Sequence, residues 1–299
     1  MPVAINLFLS AIRPITFFMP CAAIILGAGL SAYSGVVDGS LFISLLILAL
    51  LAQITVNLAD DYQRAFITNA QALDQQSPSS QKQLHVRHQM LKLILGCFSV
   101  FTLGLTVLSK MTTDGSFLAY GLTALSALIM LMILRLKTRQ PGDVKAISIS
   151  SIFAHVLLLG FSPTLVSYYL HTSQLSYTVV GLAFCSGLLA LTVLFIRNCK
   201  RQINNEPSIN SENLTPAFKL LLNVQLVIVA IVFISVLAII YFGQLPLFSG
   251  LFIFTLPSFV GSIMTVKHMP EEDVVQTQIT KIIFTGFAFW ILFVIGLML

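Results

Sequence analysis

The sequence predicts an all-α polytopic membrane protein that crosses the bilayer about nine times, and three observations predict it. Hydrophobic residues make up 57% of the chain, charged residues only 9%, and apolar stretches follow one another almost from end to end. A soluble domain carries about 25% charged residues, and no aqueous fold could hide so much apolar surface. No stretch between the apolar runs is long enough for a soluble domain, so residues 1–299 read as a single membrane domain.

A spanning helix needs roughly 20 mostly apolar residues, since each rises about 1.5 Å through a core about 30 Å thick. Nine segments meet that requirement. The first, about 13–33, opens at Arg13-Pro14 and is too long for the apolar region of a cleaved signal peptide. The second, 40–62, ends in a polar run that begins at Asn57. The third and fourth are 89–109 and 115–136, and the fifth, 146–170, carries His155 about ten residues in. The sixth, 175–197, runs into a basic, amide-rich end. The seventh, eighth and ninth are 217–242, 245–265 and 279–298. Lipid cannot satisfy backbone donors and acceptors, so each span must be helical; the ten-residue alternation of an outer-membrane barrel is missing.

Nine spans put the termini on opposite sides. With the amino terminus in the cytoplasm and the carboxyl terminus outside, fifteen of the sixteen Lys and Arg residues fall inside and only Lys110 outside. This is the positive-inside pattern expected of an inner (plasma) membrane protein. The net charge of +5 is spread among short loops rather than gathered on one face, which argues against a nucleic-acid partner. Of eleven acids, only Asp38 and Asp114 fall outside, so polar chemistry concentrates at the cytoplasmic face, where the long loops 63–88, 198–216 and 266–278 also lie. Cys21, Cys97 and Cys185 sit inside apolar runs and Cys199 at a loop edge, without the spacing of a disulfide framework or zinc site.

The second span closes in Asn57-Leu58-Ala59-Asp60-Asp61-Tyr62-Gln63-Arg64. Asn57, Asp60 and Asp61 stand three or four apart and share a helix face. Such oxygen ligands suit Mg²⁺, which takes one or two carboxylates and completes its shell with water and phosphate oxygens. The bland reading is an ordinary helix end with snorkelling polar residues. The sixth span closes in Arg197-Asn198-Cys199-Lys200-Arg201-Gln202-Ile203-Asn204-Asn205-Glu206, where charge anchoring is the bland reading. His85 and His88 read as solvated loop residues, and Glu271-Glu272-Asp273 as a solvated cap before the ninth span.

Nine spans, the opening Arg13-Pro14-x-Thr16 and the closing Asn57-x-x-x-Asp61 together resemble the UbiA superfamily of intramembrane prenyltransferases. The likeness is strongest to the 1,4-dihydroxy-2-naphthoate polyprenyltransferase branch, whose asparagine, leucine, alanine, acid or amide, aspartate, tyrosine run is matched by Asn57 to Tyr62. Its basic, glycine and acid loop resembles Lys137, Arg139 and Pro141-Gly142-Asp143.

The resemblance implies a UbiA-like helical bundle whose central cavity is capped by cytoplasmic loops. It implies transfer of a polyprenyl group from polyprenyl diphosphate to an aromatic acceptor, as in menaquinone and quinone biosynthesis, with Mg²⁺ as cofactor and membrane lipid around it. Asp61 and Asn57 would be catalytic, with Asn57, Asp60 and Asp61 holding the metal. Asn198, Arg64 and Arg201 would contact diphosphate, and Arg13, Lys137 and Arg139 the acceptor.

The sequence departs from the family pattern in both motifs. Arg64 stands where a further aspartate is expected, with only Asp74 beyond it, and Arg201 and Asn205 stand where the second motif has aspartates; Glu206 substitutes only if the register slips by one. Guanidinium groups can grip diphosphate bidentately, so a transferase with fewer metals is one reading. A catalytically inactive relative that binds isoprenoid lipid is another. A secondary transporter is a third, but it should carry ionisable residues at mid-depth, and no acid, Lys or Arg lies there.

Overall fold

The computed structural model describes residues 12–63, 65–66, 80–113, 116–139, 149–205 and 213–299, with side chains described except at 80–84, 136–139, 149–151 and 205. Every regular element among the described residues is helical, and nine of these helices are long and apolar enough to cross a membrane. They are Pro14–Tyr33, Gly39–Gln63, Ser80–Thr113, Phe117–Arg139, Ile149–Thr172 (in three consecutive pieces), Tyr177–Asn205, Pro216–Phe242, Leu247–His268 (in two pieces) and Glu272–Met298. They are numbered here as the first to ninth spans.

Contacts between their ends show that the spans alternate in direction. The start of the first span meets the end of the second through Arg13 and Asp61, and the end of the sixth meets the start of the ninth through Lys200 and Glu272. At the opposite face, the end of the fifth meets the starts of the second and fourth: the His171 ring lies 3.3 Å from the Asp38 carbonyl, and the Tyr169 hydroxyl lies 2.9 Å from that of Ser116. Asp38 caps the second span by accepting from the Ser40 and Leu41 amides at 2.8 and 3.3 Å. The face bearing Arg13, Asp61, Lys200 and Glu272 is called the basic face below.

Three helices reach further than their apolar runs. At the basic face the third span starts at Ser80, the sixth continues to Asn205 and the ninth starts at Glu272. Much of what reads as loop is therefore helix standing clear of the apolar layer. His85 and Cys199 both lie on these extensions: His85 pairs with Gln89 at 2.7 Å, and Cys199 is fully buried rather than at a loop edge.

Two apolar cores share the first and fifth spans as a common wall. One joins them to the sixth through ninth spans around Phe218, Phe252, Phe259, Phe289, Trp290 and Phe293; the other joins them to the second, third and fourth. Small residues set the approach along this wall. A methyl group on Gly27 would meet the Thr164 carbonyl at 2.5 Å, and one on Gly160 would meet the Gly187 amide nitrogen at 2.2 Å. The hydroxyls of Thr164 and Ser167 reach across to the Ala23 and Ile24 carbonyls at 3.2 and 3.0 Å.

The fifth span contains a π-helical turn, Leu157–Phe161, immediately before Ser162-Pro163. Proline has no amide hydrogen for the fourth carbonyl behind it, and its ring crowds that carbonyl. Widening the preceding turn relieves the clash, and such turns occur often at functional sites.

Candidate functional site

Two facing stripes build the site. On the second span, Leu45, Ala49, Gln53, Asn57 and Asp61 recur every four residues and so form one ridge. Their chemistry grades along the ridge from apolar through amide to carboxylate. On the first span, Arg13, Thr16, Pro20 and Ile24 face them, with Pro14 fixing the backbone where that helix starts.

The polar ends of the two stripes are joined side chain to side chain. The Arg13 guanidinium donates to Asp61 Oδ1 in an ion pair. One turn deeper, Asn57 Nδ2 donates to Thr16 Oγ1 at 3.0 Å, and Gln53 Nε2 donates to Asn57 Oδ1 at 3.2 Å. Thr16 is itself tied back to the Arg13 carbonyl at 2.8 Å. Asn57 is 2% exposed and Gln53 5% exposed, whereas Arg13 and Asp61 keep contact with solvent.

Beneath this mouth lies a partly open cavity, with about 500 Å³ of empty space when the open solvent at its opening is included. It is walled mainly by apolar side chains of the first five spans, among them Ile24, Leu45, Ala49, Phe101, Leu158 and Val166. Gln53 belongs both to the cavity wall and to the hydrogen-bonded mouth. From Asp61 to Gln53 is eight residues, or about 12 Å along the helix. The polar mouth and the cavity wall thus lie along one face of the second span.

Arg87 braces the mouth from the third span through Tyr62. Arg87 Nε donates to the Tyr62 hydroxyl at 2.8 Å, and its guanidinium carbon lies 5.8 Å from the Tyr62 ring centre. Tyr62 is buried, so this contact locks the end of the second span against the third.

On the other side of the first span, which packs against both the second and the sixth, the sixth span ends in a second polar cluster. Asn198 is 7% exposed and Arg201 is exposed. Lys200 pairs with Glu272 at 3.2 Å and donates to Gln276 at 2.9 Å, while Asn204 donates to Glu272 at 3.2 Å. Glu272 is therefore a latch between the sixth and ninth spans rather than a merely solvated cap. The hydrogen bond from Lys200, then that from Asn204, holds its carboxyl below the usual glutamate range.

The residues expected from sequence are distributed as follows. Arg13, Asn57 and Asp61 come together, with Asp60 half-buried beside them. Arg13 engages Asp61 directly, a pairing that sequence spacing did not indicate. Asn198 and Arg201 lie on the sixth-span extension, and Lys137 and Arg139 on the last turn of the fourth span, where only the backbone is described. Arg64, Asp74, Pro141, Gly142, Asp143 and Glu206 lie outside the described residues. Sequence reasoning missed Gln53, Thr16 as the partner of Asn57, and the Tyr62–Arg87 brace. Gln53 had a usable signal: stepping back four residues at a time from Asp61 through Asn57 meets an amide inside an otherwise apolar span.

As a cation site, the first cluster supplies the one or two carboxylates that Mg²⁺ accepts, from Asp60 and Asp61. Asn57 is committed to Thr16 and Gln53, so it fits better as a group that orients the cluster. The sixth-span cluster offers amides and cations, which fit a phosphate directly and do not fit a second metal.

No family model matches this sequence, and no curated protein matches it. Among solved structures the chain is similar to one of digeranylgeranylglyceryl phosphate synthase in membranes, with a TM-score of 0.61 over 98% of each chain and 13% sequence identity. The chain thus shares, over nearly its whole length, the fold of that membrane synthase.

Proposed function

We propose that this protein transfers a polyprenyl group from polyprenyl diphosphate to an aromatic acceptor of naphthoate type, working at the cytoplasmic face of the inner membrane. The observation that carries the reading is the ridge Leu45-Ala49-Gln53-Asn57-Asp61, which runs from an apolar cavity to a charged mouth without interruption. The shared fold and the excess of Lys and Arg at the basic face support it.

In this reading the diphosphate sits at the mouth and the isoprenoid tail fills the cavity. Each CH₂ moved from water into such a cavity contributes about 0.8 kcal/mol, which suits a long apolar donor. As the carbon–oxygen bond lengthens, its electron pair passes to the diphosphate, an electron-rich ring carbon attacks the allylic centre, and the ring then gives up a proton to water or to the released diphosphate, which restores its aromaticity. Arg64, Arg201 and Asn198 would donate hydrogen bonds to the departing oxygens. Asp60 and Asp61 would hold Mg²⁺, which supplies charge neutralisation to the leaving group. Arg13, Lys137 and Arg139 would orient an acidic acceptor.

Two observations favour a second reading, an isoprenoid-binding relative without catalysis. The Asp61 carboxylate is already neutralised by Arg13, and the sixth-span cluster lacks the aspartates of its family counterpart. Incubation of the purified protein with labelled polyprenyl diphosphate and aromatic acids, with and without Mg²⁺, separates the two. Metal-dependent diphosphate release that disappears in Asp61→Ala supports transfer. Saturable binding without release sinks the transfer reading and leaves the lipid-binding one.

A further inference from the structure

The cavity has a polar side that the apolar tail does not explain. Gln53 Nε2 is satisfied by Asn57, but Gln53 Oε1 has no hydrogen-bond partner although it is buried and belongs to the cavity wall. An unpaired carbonyl oxygen inside a membrane protein has lost its hydration with nothing to offset the loss. Such an atom on a cavity wall marks where a ligand's donor fits.

A second polar feature lines the same cavity. Ser126 and Ser162 meet hydroxyl to hydroxyl, and both are buried. Ser126 spends its single hydroxyl hydrogen on the Leu122 carbonyl at 2.8 Å. Ser162 must therefore donate to Ser126, which leaves the pair with lone pairs and no spare hydrogen. Gln53 Oε1 and the serine pair thus both present acceptors. A purely hydrocarbon occupant answers neither.

We infer that the cavity binds an apolar molecule carrying a hydroxyl group, which donates to Gln53 Oε1, with the Ser126–Ser162 pair as a second acceptor site. Gln53 lies one turn below Asn57, so the hydroxyl is held just inside the mouth. Two kinds of molecule share this chemistry, a phenolic ring and an isoprenoid alcohol. Identifying the ligand as the ring acceptor rests on the proposed transfer; the site itself does not.

The test uses matched pairs that differ only in the hydroxyl: 1-naphthol against naphthalene, and geraniol against its parent diene. Apparent affinities are read from ligand-induced melting shifts of the full-length protein in one detergent, so that micelle partitioning cancels between variants. The wild type should favour the hydroxyl-bearing member of at least one pair by roughly tenfold. Gln53→Leu should erase that preference, and Gln53→Met serves if the leucine variant does not fold. Ser162→Ala should reduce the preference in part. Preference confined to the naphthol pair assigns a ring-bearing ligand; preference confined to geraniol assigns an isoprenoid alcohol. No preference in either pair, or a preference that survives both Gln53 variants, overturns the site. Because no diphosphate is present, failure here leaves metal-dependent diphosphate release standing, and failure of that release leaves this preference standing.

Discussion

Arg13 and Asp61, 48 residues apart in sequence, form an ion pair that closes the first span onto the second at the basic face. Both side chains keep some solvent contact, so screening limits the pair to about 1 kcal/mol. A double-mutant cycle on Arg13→Gln and Asp61→Asn, measured by unfolding in mixed micelles, should return a coupling energy of about that size. Additive effects would show that the two side chains do not depend on each other.

Asn57 is more costly to change. Replacing it with leucine leaves the Thr16 hydroxyl and the Gln53 amide hydrogen without the partner they have here. A loss of about 2 kcal/mol is expected, within the range for stranded buried polar groups. Thr16→Val removes one of these bonds and should cost less. Equal losses in the two variants would contradict the assigned network.

Two glycines in apolar spans should respond in opposite directions. Gly160→Ala forces a methyl group into the backbone of Gly187, and about 2 kcal/mol or more should be lost. Gly96→Ala meets nothing within 4 Å and should gain about 0.5–1 kcal/mol from helix propensity. Thermal melting of the two variants beside wild type checks both signs.

The legibility of this chain in its sequence divides along a physical line. Hydropathy located every span, because a helix in lipid must be apolar for about 20 residues whatever its neighbours are. It could not find where helices end. The sixth and ninth spans continue to Asn205 and from Glu272 in polar sequence, where hydrogen bonding and the Lys200–Glu272 pair hold the helices beyond the apolar layer. Within the site, the shared face of Asn57 and Asp61 followed from helical spacing alone. Their partners did not, since Thr16 and Arg13 arrive through packing of a different span. The π-helical turn at Leu157–Phe161 was equally hidden: Pro163 signals a disturbance in the helix but not its form.

The latch between the sixth and ninth spans should be sensitive to acid. The hydrogen bonds from Lys200 and Asn204 lower the Glu272 pKa in the folded protein, so folding favours the ionised form. Its contribution is present above the ordinary glutamate pKa and is lost as pH falls through the lowered folded value. Asp38, lowered first by the Ser40 hydroxyl, follows the same direction at the opposite face. Melting temperature measured from pH 7 down to pH 3 should decline, and Glu272→Gln should flatten part of that decline. An unchanged acid limb in the variant would remove the latch from the account.

The central claim is that an isoprenoid diphosphate lies with its head at Asp61 and its tail in the cavity below Gln53. Photolabelling with a polyprenyl diphosphate analogue carrying a diazirine near the tail end, followed by peptide mapping, addresses this most directly. The account predicts adducts on cavity residues such as Ile24, Ala49, Phe101 and Val166, suppressed by unlabelled polyprenyl diphosphate and weakened in Asp61→Ala. Adducts on outward-facing residues such as Ile47 and Val107, insensitive to competition, would contradict it.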